Sequence, residues 1–302
     1  MGKVVILGVF VADTAYRAAR MPKIGETILG NTFALGPGGK GSNQAVAAGK
    51  LEADVTIISR LGEDDFGQMA MQIWKDAHVK GTIKYSPDAY TGAAFIFVDD
   101  KTGDNAIIIA PGAAADISVE DIRENAELIA AADVFLTQLE QPIDVAHEGL
   151  ITAKRNGKIT ILNPAPAADL PKEVFEVCDY ITPNETEAEV ITGLPVRNEA
   201  EAESAAQYLA GLGVKTPIVT MGEQGAFLFG YGMVSAYEAG PVVETTGAGD
   251  AFNGAFAVAL SEGKSAVDAV RFGCATAAIS VTRPGAASSM PTRDEVEQLL
   301  RD

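Results

Sequence analysis

The chain has 302 residues, of which 47% are hydrophobic and 21% are charged, proportions typical of a globular protein with one or two α/β domains. Its 41 acidic and 23 basic residues give a net charge of −18, which argues against a nucleic-acid partner because surfaces that bind nucleic acid are basic. No apolar run is long enough for a membrane span, and the N-terminus lacks the pattern of a signal peptide. With only two cysteines, far apart in sequence, we expect a cytoplasmic protein without a disulfide framework.

Short apolar runs of strand type alternate with longer amphipathic runs of helix type. The predicted strands are Val4–Leu7, Val55–Ser59, Phe95–Val98, Ala106–Ile109, Val134–Leu139, Ile159–Leu162, Ile218–Thr220 and Ala226–Phe229. The predicted helices are Ser42–Lys50, Phe66–Ala77, Val119–Ala131, Val145–Asn156, Glu199–Leu212, Ala251–Glu262 and Ala266–Thr282. This alternation predicts a mostly parallel sheet covered by helices on both faces, within a single domain over residues 1–302.

Two segments interrupt this alternation, at residues 14–35 and 90–109, where strand and turn patterns occur without helices. Both segments could contribute to a small separate sheet. In α/β enzymes such a sheet often acts as a lid over a ligand bound at the carboxyl ends of the strands. The alternative is a surface β-meander that has no role as a lid.

A glycine-rich cluster at residues 36–44 contains the spacing G-x-G-x-x-G. We reject a dinucleotide fingerprint, because the first predicted strand ends well upstream of the cluster. A phosphate-binding P-loop also fails, because Gly41 separates Lys40 from Ser42. One remaining interpretation is a turn whose N–H groups approach a ligand, followed by a helix capped near Ser42 or Asn43, and the other is a glycine-rich helix entry that binds no ligand. Lys40 and Asn43 are then candidates to contact sugar hydroxyls.

The segment at residues 245–254 is the most informative part of the chain. Small-residue turns lead directly into an apolar helix, which brings backbone N–H groups and the positive end of a helix dipole to one point. Asp250 is placed at the same point. Donors for an anion beside a carboxylate base are what phosphoryl transfer to a hydroxyl group requires.

An acidic segment at residues 182–189 is typical of the start of a helix. One interpretation is capping alone, because Asn and acidic residues stabilise the first turn of a helix. The other is that Asn184 and Glu187 hold Mg²⁺ through its waters, since Mg²⁺ prefers oxygen ligands. Elsewhere, residues 220–225 form a loop that suits either a hairpin or the edge of a nucleotide site. Glu140 follows a predicted strand, where ligands bind in parallel sheets.

Five segments together resemble the ribokinase-like carbohydrate kinase family across essentially the whole chain: 38–49, 163–167, 183–189, 245–254 and 282–286. The resemblance implies a transferase that uses ATP to phosphorylate the primary hydroxyl of a sugar, with D-ribose as the expected substrate and ribose 5-phosphate as the product. It implies a three-layer α/β/α fold with a mostly parallel central sheet and a small β-sheet lid. It also implies a homodimer formed through that lid.

The resemblance assigns roles to individual residues. The expected catalytic residues are Asp250 as the base and Gly247, Ala248 and Gly249 as a backbone anion hole. The expected sugar contacts are Val11, Ala12, Asp13, Gly39, Lys40, Gly41, Ser42, Asn43, Glu140 and Asp250. The expected nucleotide contacts are Asn184, Thr220, Met221, Gly222, Glu223, Gln224, Gly225, Gly249, Asp250 and Cys274. An activating monovalent cation, usually K⁺, would be surrounded by Glu244, Thr246, Ser280, Arg283, Gly285 and Ser289.

Two residues depart from the family's pattern. Val11 stands where members that act on ribose commonly carry an Asn that binds a sugar hydroxyl. Leaving a buried hydroxyl without a partner costs about 1–3 kcal/mol, so we expect 2-deoxyribose to compete with ribose. Glu244 stands where Asp is usual, and its added methylene changes the reach of the carboxylate toward a cation. The competing interpretations are a kinase for another sugar or a nucleoside, and a non-catalytic sugar or nucleotide sensor.

Overall fold

A computed structural model describes residues 2–301 and contains two β-sheets. The large sheet has nine strands: β1 (Lys3–Leu7), β4 (Asp54–Leu61), β5 (Lys80–Tyr85), β8 (Val134–Thr137), β9 (Ile159–Leu162), β10 (Tyr180–Ile181), β11 (Thr216–Thr220), β12 (Gly225–Leu228) and β13 (Gly232–Ser235). Their spatial order is β13-β12-β11-β10-β9-β8-β1-β4-β5. All neighbouring pairs from β11 to β5 are parallel, whereas β12 and β13 are antiparallel additions at one edge. The predicted mostly parallel sheet is confirmed.

The small sheet has four strands in the order β3-β2-β6-β7. They are β2 (Val11–Ala18), β3 (Thr32–Gly38), β6 (Thr91–Asp99) and β7 (Asn105–Gly112). The central pair, β2 and β6, is parallel, and both outer pairs are antiparallel. This sheet overlaps the two segments, 14–35 and 90–109, where the sequence predicts strands without helices, and extends three residues beyond them, to residues 11, 38 and 112. Because β2 follows β1 after three residues, the small sheet starts at the carboxyl end of the large sheet.

Eleven α-helices occur within residues 2–301: α1 (Lys40–Lys50), α2 (Asp65–Asp76), α3 (Val119–Glu124), α4 (Ala126–Ala130), α5 (Ile143–Arg155), α6 (Lys172–Glu176), α7 (Glu185–Thr192), α8 (Glu199–Gly211), α9 (Ala248–Ser261), α10 (Ala266–Ser280) and α11 (Arg293–Leu299). Short 3₁₀ turns occur at Ala113–Asp116, Gly222–Gln224 and Ala287–Ser289. None of these helices combines the length and apolar character needed to cross a bilayer.

Successive residues of the central strands enter two different apolar layers. In β1, Val4 and Ile6 belong to a core shared with α1, α2, α9, α10 and α11. Val5 and Leu7 belong to a core shared with α3, α4, α5 and α6. Since side chains of a strand alternate between faces, the continuous apolar run of β1 is buried on both sides. The helices therefore form two layers around the sheet, which confirms the predicted three-layer fold.

Two glycines set the position of α1, the helix that follows the glycine-rich turn. Gly39 is its N-cap with φ of 88°, and an added Cβ there would lie 2.4 Å from the carbonyl oxygen of Val9. Gly254 lets α9 cross α1 closely, because an added Cβ would lie 2.6 Å from the carbonyl oxygen of Gln44 and 2.7 Å from Cβ of Ala47. Only glycine allows these approaches, which bring the start of α1 beside the start of α9.

The prediction of one helix over Val119–Ala131 is wrong. The chain instead forms α3 and α4, which meet at Asn125. The side-chain amide of Asn125 donates to the carbonyl oxygen of Asp121 at 2.8 Å, and such local side-chain bonds compete with the helical backbone pattern.

Two predicted boundaries are also wrong. The strand predicted over Val134–Leu139 ends at Thr137, because the amide of Gln141 donates to the hydroxyl of Thr137 and to the carbonyl of Gln138 and so stabilises a turn. The helix predicted from Ser42 begins instead at Lys40. The N–H of Asn43 already donates to the carbonyl of Gly39 at 2.9 Å, so neither Ser42 nor Asn43 is the cap.

Candidate active site

Asp250 lies in the first turn of α9 and is only 7% exposed. Its Oδ2 accepts a hydrogen bond from Asn43 Nδ2, and its Oδ1 accepts one from Gln44 Nε2, both at 3.0 Å. Burial raises the pKa of Asp250, while the positive charge of Lys40 and the two amide donors oppose that rise. The carboxylate is thus held in place by α1 and stands at the positive end of α9.

Lys40 lies among several carboxylates. Its backbone N–H donates to Glu140 Oε2 at 2.7 Å. Burial lowers the pKa of the Lys40 ammonium group, but the charges of Asp250, Glu140 and Glu187 together raise it by more. Burial also raises the pKa of Glu140 to about 7 and that of Asp13 to about 6. The predicted sugar contacts Asp13, Lys40 and Glu140 therefore belong to one cluster with Asp250.

The turn before α9 exposes backbone donors. Gly247 is the N-cap of α9, and Gly249 is exposed. Within residues 2–301 the N–H groups of Gly247 and Gly249 have no hydrogen-bond acceptor. The N–H of Ala248 differs, because it donates to the carbonyl of Thr245 at 3.2 Å. Two of the three predicted anion-hole N–H groups are consequently free to bind an anion beside Asp250.

Seven of the predicted nucleotide contacts, Asn184 and residues 220–225, follow the carboxyl ends of β10 and β11, whereas Gly249 and Asp250 lie on α9 and Cys274 lies on α10. Asn184 and Thr220 form an isolated parallel bridge, and the N–H of Thr220 donates to the carbonyl of Pro183 at 2.9 Å. The chain then turns back, with the N–H of Met221 donating to the carbonyl of Gly225 at 2.8 Å. The exposed residues of this turn are Gly222, Glu223 and Gln224. The two loops form one edge next to the Asp250 cluster.

Asn184 and Glu187 form the capping box of α7. Asn184 Oδ1 accepts from the N–H of Glu187 at 2.8 Å, and Glu187 Oε2 accepts from the N–H of Asn184 at 2.9 Å. The predicted capping of this helix is therefore confirmed, and the additional role in holding Mg²⁺ stays a prediction. Residues 2–301 contain no group of three or more His, Cys, Asp or Glu side chains arranged around a metal. A Mg²⁺ ion that keeps its waters needs only one or two protein carboxylates.

The predicted cation loop lies against the anion-hole turn. Glu244 Oε2 accepts a hydrogen bond from the N–H of Gly285 at 2.9 Å. An added Cβ at Gly247 would lie 2.9 Å from Cα of Ala286, so the two turns are in contact. The Arg283 guanidinium is paired with Glu295, which neutralises its charge. Thr246 is exposed, while Ser280 and Ser289 are buried and donate to backbone carbonyls.

Some predicted contacts are packed in the interior. The hydroxyl of Ser42 accepts a hydrogen bond from the indole N–H of Trp74 at 2.9 Å and is fully buried. Cys274 lies on α10, and burial raises the pKa of its thiol to about 12. Besides Asn43 and Asp250, the remaining buried positions among the predicted sugar and nucleotide contacts are Val11, Ala12, Gly41, Met221 and Gly225.

Sequence reasoning missed the polar residues behind Asp250 as members of the site. Gln44 donates to Asp250 and also to Asn163 Oδ1 at 3.0 Å. Thr182 and Asn253 continue the same buried network. Gln138, Asn163 and Thr182 each follow the end of a central strand, β8, β9 and β10, and that shared placement is the signal that could have identified them.

A separate cleft of about 860 Å³ lies between α2 and the edge strand β5. Its lining includes Met71, His78 and Tyr85, and none of the predicted site residues. Volume alone therefore does not locate the chemistry, since neither the free N–H donors at the start of α9 nor the buried carboxylates line this cleft.

The family described as pfkB family carbohydrate kinase matches residues 1–293. A ribokinase of Haemophilus influenzae is 41% identical over 298 residues, covering 98% of this chain and 97% of that protein. A deoxyribokinase of Salmonella typhi is 34% identical over 302 residues, covering 98% of each. The solved structure of Arabidopsis thaliana ribokinase complexed with ribose and ATP is 34% identical, with a TM-score of 0.93 and full coverage of both chains.

These matches extend over nearly the whole chain and agree with the arrangement of two sheets, a free helix N-terminus and a buried carboxylate described above. The chain belongs to the pfkB family of carbohydrate kinases.

Proposed function

We propose that this enzyme uses ATP to phosphorylate the 5-hydroxyl of D-ribose, giving ribose 5-phosphate. The observation that carries the proposal is the buried carboxylate of Asp250 beside the unpaired N–H groups of Gly247 and Gly249, within the part of the chain that the structure describes. The similarity to a ribokinase of Haemophilus influenzae and to a ribokinase complexed with ribose and ATP supports ribose as the acceptor.

Asp250 acts as the base for the sugar hydroxyl. A hydroxyl group is a weak nucleophile, so a fixed carboxylate that accepts its proton lowers the barrier to attack on the γ-phosphate. Asn43 lies on the substrate side of this carboxylate. Its Oδ1 is buried and has no hydrogen-bond partner within residues 2–301, so it can accept a hydrogen bond from a sugar hydroxyl.

The remaining sugar hydroxyls bind to the cluster around Lys40. Asp13 and Glu140 are acceptors when ionised, and the Lys40 ammonium is a donor. Glu140 is fixed by the backbone N–H of Lys40 at 2.7 Å, which orients the carboxylate before the sugar arrives. Such fixed partners reduce the entropy lost when the sugar binds.

The transferring phosphoryl group lies at the start of α9. Its charge spreads over three oxygens in the transition state, and the N–H groups of Gly247 and Gly249 offset that charge together with the dipole of α9. Lys40 adds a positive charge at the same point, since it interacts with Asp250. ATP binds along the edge formed by Asn184 and the loop from Thr220 to Gly225.

We propose Mg²⁺ and K⁺ as the activating ions. Glu187 Oε1, which the capping box does not use, would accept hydrogen bonds from the waters of Mg²⁺, and Asn184 Oδ1, which accepts only one hydrogen bond in the box, would accept another. Bound Mg²⁺ would offset the charge of the ATP phosphates. Glu244 and the loop at Gly285 would surround K⁺ with oxygen ligands, and their contact with Gly247 would let the ion stabilise the anion-hole turn.

The small sheet acts as the lid and as the interface of a homodimer. One of its faces exposes apolar side chains, including Phe33 at 57% and Ile108 at 64%. Tyr16 packs on Phe33 with ring centroids 5.1 Å apart, so part of this surface is continuous across strands. A second copy of the chain would bury this apolar face. Both cysteines are free and buried, which supports the cytoplasm as the location.

2-Deoxyribose is the second candidate acceptor. The apolar side chain of Val11 and the similarity to a deoxyribokinase favour it, because valine cannot bind the hydroxyl by which the two sugars differ. Two further functions compete with these: a kinase for a different sugar or a nucleoside, and a non-catalytic sensor. A sensor would bind sugar and ATP without releasing ADP.

The test is an ADP-release assay across pentoses, hexoses and nucleosides, with and without K⁺. The proposal predicts that ribose, or ribose and 2-deoxyribose, give the highest kcat/KM and that the product carries phosphate on the 5-oxygen. A preference for a hexose or a nucleoside would contradict the proposed substrate, and binding without turnover would favour the sensor.

A further inference from the structure

A ring of buried polar groups connects the side chain of Asp250 with the backbone of the anion-hole turn. Starting from Asp250 Oδ1, Gln44 Nε2 donates both to this oxygen and to Asn163 Oδ1, at 3.0 Å each. Asn163 Nδ2 donates to the carbonyl of Thr182 at 3.2 Å, and the Thr182 hydroxyl donates to Asn253 Oδ1 at 2.6 Å. Asn253 Nδ2 closes the ring on the carbonyl of Gly249 at 2.8 Å.

The orientation of the Gln44 amide is fixed by its partners. Both hydrogens of Nε2 are used, one on Asp250 and one on Asn163, and its Oε1 accepts from Gln138 Nε2. A flipped amide would place oxygen against oxygen at Asp250 and nitrogen against nitrogen at Gln138. Gln44 is therefore a donor to the carboxylate in its only compatible orientation.

The ring returns to the peptide group that joins Gly249 to Asp250. The side chain of Asp250 and its own backbone are thus held by the two ends of one network. All four linking residues are nearly excluded from solvent: Gln44 at 0%, Asn163 at 6%, Thr182 at 1% and Asn253 at 1%. None of them is charged, so the network orients groups without adding charge next to Asp250.

We propose that Gln44 is a positioning residue that fixes the Asp250 carboxylate against the anion-hole turn through this ring. The inference rests on the proposed function, because it assigns a partner to the proposed base. Gln44 Nε2 holds Oδ1, while Oδ2, which accepts one hydrogen bond from Asn43, keeps a second lone pair for the sugar hydroxyl. The donor also favours the ionised form of Asp250, which is the form that accepts a proton.

The test replaces Gln44 by Met, which keeps the length of the side chain and removes its donors. We expect kcat to fall by about ten- to a hundredfold, because a donor to a charged group is lost. The acidic limb of the pH profile of kcat/KM should move upward by about one pH unit, because the ionised carboxylate loses a partner. The sugar Kd, measured by calorimetry, should change by less than about threefold because Gln44 does not face the sugar.

Gln141→Met is the matched control. Gln141 is equally a buried glutamine, 4% exposed, and its amide donates to the hydroxyl of Thr137 and the carbonyl of Gln138 without touching Asp250. Both variants lose a buried amide and should lose thermal stability. Only Gln44→Met should shift the acidic limb of the pH profile of kcat/KM. An unshifted limb in Gln44→Met, or an equal shift in Gln141→Met, would overturn the inference.

Gln44→Glu serves if the Met variant does not fold, since it keeps the shape of the side chain. It places a like charge beside Asp250, so at neutral pH its kcat should fall below that of the unmodified enzyme by more than about a hundredfold. A Gln44→Glu enzyme with near-normal kcat would contradict the inference.

Thr182→Val tests the far side of the ring, because it removes the hydroxyl that binds Asn253 and keeps the volume of the side chain. Its effect on kcat should be less than additive with that of Gln44→Met in a double-mutant cycle, and full additivity would overturn the coupling. Failure of the proposed function looks different, since the unmodified enzyme would then phosphorylate neither ribose nor 2-deoxyribose efficiently.

Discussion

Gly254 packs against the carbonyl oxygen of Gln44 and the methyl group of Ala47, so helices α9 and α1 cross closely at this point. This approach lets Asn43 and Gln44 reach Asp250 across a long stretch of sequence: the separations are 207 and 206 positions. The geometry of the proposed base thus depends on one glycine that does not itself contact substrate.

Gly254→Ala should reduce both stability and turnover. The added methyl group would lie 2.6 Å from the Gln44 carbonyl, so the helices must separate and the bond from Gln44 to Asp250 must lengthen. We expect a loss of about 1–3 kcal/mol in unfolding free energy and at least about a tenfold loss in kcat. Thermal unfolding and ADP release measure the two effects.

Gly211→Ala is the control for that substitution. Gly211 is the last residue of α8, and no atom lies within 4 Å of an added Cβ. Alanine should leave kcat unchanged and should be neutral or stabilising by up to about 1 kcal/mol. A Gly254→Ala enzyme that behaves like Gly211→Ala would show that the close crossing is unimportant.

Glu140→Gln should become more stable than the unmodified protein as pH rises. Burial raises the pKa of Glu140 from 4.5 to about 7, so the folded state holds a proton there that the unfolded state has lost. The stability that this proton contributes to the folded state is therefore fully present below pH 4.5 and is lost as pH rises through 7. Because Gln does not titrate, the free energy of unfolding of the variant should rise relative to that of the parent by about 3 kcal/mol across this range.

Urea unfolding without sugar, at several pH values on both sides of the raised pKa of Glu140, measures that difference. The parent and the variant are compared at the same pH, so titrating groups that do not interact with Glu140 cancel from the difference. A difference in unfolding free energy that stays constant with pH would contradict a raised pKa at this carboxyl.

The ratio of kcat/KM for ribose to that for 2-deoxyribose should be less than about a hundredfold. Val11 cannot bind the 2-hydroxyl, which removes about 1–3 kcal/mol of discrimination. Val11→Asn should raise the ratio in favour of ribose by supplying that bond. A ratio above about a hundredfold in the unmodified enzyme, or no change in Val11→Asn, would refute the role given to Val11.

Replacing K⁺ with tetramethylammonium at constant ionic strength should lower kcat by several-fold. Glu244 holds the N–H of Gly285, and this loop contacts the anion-hole turn through Gly247 and Ala286. A cation in the loop would therefore change kcat, through the N–H groups of the anion-hole turn, rather than the affinity for the sugar. Glu244→Gln should remove most of the K⁺ effect, and an equal K⁺ response in both enzymes would exclude Glu244 as a ligand.

The sequence was informative where chemistry depends on neighbouring residues. The turn at 245–254 predicts both Asp250 and the free helix N-terminus, because all of these groups lie within one local motif. The burial of β1 on both faces was predictable from its continuous apolar run. The small sheet was predictable from strand patterns in segments that lack helical patterns.

Long-range pairing was not predictable. Gln44 lies one residue beyond Asn43, and nothing in its local pattern indicates that it reaches Asp250 and Asn163. The edge strand β5 was missed because its sequence, KGTIKY, is largely exposed and lacks an apolar run. The short strand β10, only two residues long, depends on pairing with β9 and β11 rather than on its own propensity.

The most direct test of the central claim is the turnover of Asp250→Asn with ribose and ATP. Asn keeps the shape of the side chain but cannot accept the sugar proton, so kcat should fall by about a thousandfold or more. The melting temperature and the ribose Kd should show that the variant folds and still binds. Near-normal release of ADP by Asp250→Asn would contradict the account, because the proposed base would then have no part in the reaction.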